Sequence, residues 1–72
     1  MTNFGKNLKD TLAQLGLSQQ KLADALRVSQ QTVSRWVNGV NEPDFDTFLR
    51  ICEFLDETPE SLLGERIKED KK

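Results

Sequence analysis

The sequence predicts an all-α fold of five short helices. Three observations predict it. Gly and Pro fall at intervals that cut the chain into short segments. Within the segments, apolar residues recur every three or four positions, the spacing of one helix face. No stretch alternates β-branched with polar residues, as a half-buried strand requires.

The first helix carries Phe4, Leu8, Leu12 and Leu15 as one apolar stripe. It is expected to end at Gly16, where a helix commonly turns left-handed. Ser18 can cap the second helix, whose inner face is Leu22, Ala23 and Leu26. Ser29 can cap a third, which ends at Asn38-Gly39 and turns Val33, Trp36 and Val37 inward. Val40 to Pro43 reads as a loop. Asp44 caps a fourth helix, with Phe45, Phe48, Ile51, Cys52 and Leu55 expected inside. Thr58-Pro59 is a start signal for a fifth, anchored by Leu62 and Leu63. Residues 1–64 then form one domain. Residues 65–72 are a charged tail, and the run Lys68 to Lys72 is expected to fray. Only three or four residues separate the second and third helices, which suits a helix-turn-helix better than an open hairpin.

Composition narrows the function. The 72 residues are 36% hydrophobic and 31% charged, ordinary for a soluble globular domain. No apolar run approaches the roughly 20 residues that span a bilayer, so no membrane is expected as a partner. The N-terminus has no basic region followed by an apolar stretch, so no signal peptide is read there. A single Cys excludes an intrachain disulfide and fits a reducing, cytoplasmic setting. There is no His, no cluster of metal ligands and no Gly-rich loop to cradle phosphate. An enzyme is therefore not expected, nor a metal, a cofactor or a small-molecule substrate. The carboxylates are scattered, as on a solvated surface.

The net charge of −2 argues at first against nucleic acid. Its distribution argues the other way. Residues 1–40 hold five basic against two acidic side chains, and residues 41–72 hold five against ten. One end of the chain can meet phosphates while the other stays away from them.

The third helix carries the chemistry. Gln30, Gln31, Thr32, Ser34 and Arg35 crowd its polar side, where a merely solvated helix would more often use Glu and Lys. A Gln amide donates and accepts at once and so matches adenine N6 and N7. Arg35 can reach guanine O6 and N7, or a phosphate. Thr32 offers a methyl to thymine or a hydroxyl to the backbone. A solvated surface helix explains the same residues taken alone. Ser18 and Gln19 open the second helix, where free N–H groups suit a phosphate oxygen. Lys21, Lys6 and Lys9 are further candidates for non-specific phosphate contact. Trp36 is expected in the core rather than stacked on a base. Cys52 is expected to be a small buried hydrophobe with no base beside it.

Longer stretches carry a resemblance. Leu17-Ser18-Gln19-Gln20-Lys21-Leu22-Ala23, Val28-Ser29-Gln30-Gln31-Thr32-Val33-Ser34-Arg35-Trp36, Asn38-Gly39, Glu42-Pro43 and Pro59-Glu60-Ser61-Leu62-Leu63 resemble the Cro/phage-repressor type of helix-turn-helix domain. The resemblance covers roughly residues 4–64. It implies a compact five-helix, lambda-repressor-like domain whose third helix enters the major groove of double-stranded DNA. It implies a homodimer on a palindromic operator and a role in transcription, of the repressor type. It also implies phosphate contacts from Asn38 and Asn41, which a helix end and a turn explain equally well. Pairing between copies is implied around Glu57, Thr58, Pro59 and Leu62. Phe54 lies off the main stripe of its helix and either joins that interface or packs under the tail.

Two positions depart from the family pattern. Arg27 stands where members usually have Gly in a left-handed turn, at a cost of roughly 1 kcal/mol. Either the turn tolerates it or it brings positive charge toward DNA. Where some members pair a buried Arg with a Glu, this chain has Leu12 and Val37, so no charge there lacks a partner. The alternative function is an antitoxin-like or other protein-interaction module, with a protein partner and DNA binding secondary or absent.

Overall fold

A computed structural model describes residues 3–64 of the chain. The charged tail, including the run expected to fray, lies outside them. Five helices follow in order: α1 (Phe4–Leu15), α2 (Gln19–Leu26), α3 (Gln30–Val37), α4 (Phe45–Leu55) and α5 (Pro59–Leu63). No strand occurs among the described residues.

The helix starts follow the expected chemistry. Ser18, Ser29, Asp44 and Thr58 each accept from the backbone N–H three residues on, at 3.0–3.1 Å. Each bond satisfies one donor that the first turn leaves without a helical partner. Pro59 occupies the first turn of α5, where a missing N–H costs nothing. Gly16 and Gly39 follow α1 and α3 with φ of 69° and 75°. Two other residues take the same left-handed conformation without being glycine: Arg27 at φ 61° and Asp56 at φ 56°.

One core joins all five helices. Phe4, Leu8 and Leu12 of α1 meet Leu22, Ala23 and Leu26 of α2 and Val33 and Trp36 of α3, and α4 and α5 close the far side. Phe4 and Phe48 pack edge to face, with ring centroids 5.6 Å apart. Val37 packs against this core from its margin, and Leu12 lies within it. Gly5 is where α1 crosses the end of α3. A Cβ there would sit 2.5 Å from the Trp36 carbonyl oxygen and 2.9 Å from that of Val37. That crossing fixes α3 against α1 and leaves no room for a side chain.

Two apolar residues expected inside are not. Leu15 is 51% exposed and Phe45 is 69% exposed. Each is the terminal residue of its helix, so it sits on the apolar stripe but beyond the helices that cover the rest of it. Conversely, α1 buries two polar residues that periodicity did not single out, Asn7 and Thr11. The Asn7 amide donates to the carbonyls of Leu62 at 2.9 Å and Gly64 at 2.7 Å. It thereby supplies donors to the end of α5 and ties it to α1.

Candidate nucleic-acid interface

α3 is packed on α1 and α2, and its inward face is Val33 and Trp36. Its outward face follows from the helix period. Gln30, Ser34, Asn38, Gln31 and Arg35 fall within roughly 140° of arc at 3.6 residues per turn. Gln30, Gln31, Arg35 and Asn38 are exposed, and Ser34 is half-buried. Among the described residues, none hydrogen-bonds the side chains of Gln30, Gln31 or Arg35. Ser34 accepts from the Asn38 amide at 3.3 Å, so its hydroxyl is partly oriented and still free to donate.

Thr32 behaves differently from its neighbours. It lies half-buried at the edge of the face, with its hydroxyl 2.9 Å from Ser29 Oγ. Ser29 also caps the helix through the Thr32 N–H at 3.1 Å. The Thr32 hydroxyl is thus engaged in holding the helix start.

The candidate phosphate contacts flank this face. Ser18 caps α2 and accepts from the Lys21 N–H, Gln19 is half-buried beside it, and Lys21 is exposed. Asn41 borders two clefts. One it shares with Lys6 and Asn38 beside the start of α1, the other with Thr32 and Arg35 beside the start of α4. Glu42 lines both clefts, and Asp44 lines the latter. Lys6 and Lys9 of α1 and Lys21 of α2 are exposed.

The residues expected to pair two copies are only partly on the surface. Phe54 is 42% exposed, and Thr58 and Pro59 are exposed. Glu57 is half-buried and accepts a hydrogen bond from Ser61 Oγ. Leu62 is a correction: it is fully buried in the core, so it cannot touch a second copy of the folded domain. The larger apolar exposure lies at Val40, Phe45 and Leu49, around the loop that leads from α3 into α4. The signal for it was a Phe at the first position of a helix. Cys52 is buried, and burial, more than the nearby Glu57 carboxylate, holds its thiol above the ordinary value. It packs within the hydrophobic core. No group of three or more His, Cys, Asp or Glu able to hold a metal occurs among the described residues.

Residues 8–62, which include α2, α3 and α4 whole, most of α1 and α5, and the candidate interface except Lys6, match the model of the helix-turn-helix family. This chain belongs to the helix-turn-helix family. Its helix-turn-helix is α2, the Arg27–Ser29 turn and α3. Relatives in Bacillus subtilis agree. YqaE, an uncharacterized HTH-type transcriptional regulator, is 35% identical over 60 residues, covering 83% of this chain and 52% of that protein. The SPbeta prophage-derived uncharacterized HTH-type transcriptional regulator YonR is 33% identical over 60 residues, covering 83% of this chain and 56% of its own length. The HTH-type transcriptional regulator ImmR is 27% identical over 62 residues, covering 86% and 49%. The helix-turn-helix chain thus spans about half the length of the curated relatives it matches. All three are described as HTH-type transcriptional regulators.

Proposed function

We propose that this helix-turn-helix chain is a sequence-specific, DNA-binding transcriptional regulator of the repressor type, acting in the cytoplasm. Residues 1–64 are the DNA-binding unit and 65–72 a tail. α3 enters the major groove, Gln30, Gln31, Ser34 and Arg35 read base edges, and Thr32 contributes its methyl. Ser18, Gln19, Lys21, Asn38 and Asn41 set register on the phosphates. One observation carries this reading: three amphoteric or cationic side chains on one face of α3 are exposed, with no hydrogen-bond partner among the described residues. A polar group costs nothing in water, but such a row finds its match in the donor and acceptor pattern of base edges.

Two copies on a palindromic operator complete the proposal. What supports pairing is apolar surface left open at Val40, Phe45 and Leu49, with Phe54 on another side of α4. The same exposed residues favour the second reading, a module whose main partner is a different protein.

Selection from a random-sequence duplex library, at about 50 and 200 mM salt, tests the first reading. A palindromic consensus is the expected result. Arg35→Ala should then lose discrimination at one base position, at a cost of about 1–3 kcal/mol. Weak binding without enrichment, vanishing as salt rises, would overturn DNA reading in favour of the protein-partner module.

A further inference from the structure

The end of α2 carries a bond from outside the motif. Within the motif, the Arg27 N–H donates to the Asp24 carbonyl at 3.3 Å and the Val28 N–H to the Ala23 carbonyl at 3.0 Å. These are the two bonds of a left-handed helix stop, and they leave the last carbonyls of α2 without a helical donor. One of those, Leu26 O, accepts from the Arg50 guanidinium at 3.1 Å across 24 residues of sequence. Arg50 belongs to α4, which packs on α2. A guanidinium at the negative end of a helix forms a charge-assisted bond, stronger than one between neutral groups. Leu26 lies three residues before Ser29, the cap from which α3 starts. The turn between them contains Arg27 in a conformation that disfavours a side chain.

We propose that Arg50 is a positioning residue for DNA reading: it pins the end of α2 to α4 and so fixes the turn that aims α3. The inference rests on the DNA-reading function proposed above. Arg50 acts through the Leu26 carbonyl and not by touching DNA. Its bond partner is backbone, so the role survives changes in the base-reading side chains.

The test uses the whole chain, the duplex it selects from the random library, and a scrambled duplex of the same length. Arg50→Met keeps the aliphatic stem and removes the donor. Arg50→Lys keeps a donor and the charge. Hydrogen exchange in the free protein reads whether the Arg27–Val28 turn loosens. Arg50→Met is expected to lose about tenfold affinity for the selected duplex, about 1.4 kcal/mol. Its affinity for the scrambled duplex and its salt slope stay unchanged, and exchange accelerates at the turn but not in α1. Arg50→Lys is expected to recover part of the loss.

Equal losses on both duplexes, with the salt slope reduced by about one, would mean a direct phosphate contact and overturn the proposal. Exchange accelerated throughout the domain would mean a merely structural role and overturn it as well. If the wild type selects a duplex and Arg50→Met binds it equally well, this inference fails alone. If the wild type selects none, the DNA-reading function fails and takes the inference with it.

Discussion

The junction between α1 and α2 and the junction between α2 and α3 share one backbone and differ in sequence. In both, a left-handed residue ends the helix: Gly16 at φ 69° and ψ 27°, Arg27 at φ 61° and ψ 42°. In both, the next residue donates back to the carbonyl five positions earlier, Leu17 to Leu12 at 2.9 Å and Val28 to Ala23 at 3.0 Å. In both, a Ser then caps the following helix. A third copy runs through Asp56, Glu57 and Thr58. The junction is therefore defined by its two return bonds and its cap, and glycine is only its least strained occupant. The copy occupied by Arg27 is also the one where α4 reaches over to the end of the preceding helix.

The largest break in that equivalence should come from Gly16→Val. A Cβ at Gly16 would meet nothing within 4 Å, so only the backbone conformation opposes it. A β-branched residue at positive φ should cost about 2 kcal/mol by denaturant titration. A loss near zero would show that the α1–α2 turn relaxes to another conformation. Next comes Ser29→Ala, expected to cost about 1.5 kcal/mol against about 1 for Ser18→Ala. The excess reflects the additional 2.9 Å contact between Ser29 Oγ and Thr32 Oγ1. Equal costs at the two caps would assign that contact no weight.

Arg27→Gly should go the other way. Relief at the left-handed position outweighs the extra freedom glycine gives the unfolded chain, for a net gain of about 0.5 kcal/mol. In a domain of this size that raises Tm by about 2–4 °C. A fall in Tm would mean that the Arg27 side chain itself contributes packing. Asp56→Gly should gain less, because Asp tolerates the left-handed region better than Arg.

The smallest effect separates the caps by pH. Of the four side-chain caps, only Asp44 titrates. Hydrogen bonds from Thr47, side chain and then backbone, hold its carboxyl below the ordinary value. A lowered pKa contributes stability above the unfolded value, about 3.9, and that contribution disappears as pH falls through the lower folded value. Acid melts of Asp44→Asn should lack this component, whereas Ser29→Ala should retain it.

How much of this was legible in the sequence depends on range. Ser18, Ser29, Asp44 and Thr58 act on residues three positions away, so their roles could be read locally. Gly16 and Gly39 end helices for the same local reason. Leu15 and Phe45 were misplaced because periodicity gives the face of a helix but not how far its neighbours extend. The amide and the guanidinium that act at distance, Asn7 on Leu62 and Gly64 and Arg50 on Leu26, are separated from their partners by 24 to 57 residues. No spacing rule reaches that far. In the candidate interface, helix period placed Gln30, Gln31, Ser34 and Arg35 together. It did not reveal that the Thr32 hydroxyl is committed to Ser29, nor that Leu62 lies inside the core.

The separation within α3 has a consequence for how such a chain diversifies. Val33, Trp36, Ser29 and Thr32 hold the helix in place, whereas the side chains of Gln30, Gln31 and Arg35 make no hydrogen bond among the described residues. Substitutions at the latter three leave folding nearly untouched, since exposed positions without partners usually change stability by less than about 0.5 kcal/mol. If α3 reads DNA as proposed, a lineage of this scaffold can drift from one target to another through single steps, each intermediate as well folded as the last, and an engineer can rewrite the same three letters without first stabilising the protein.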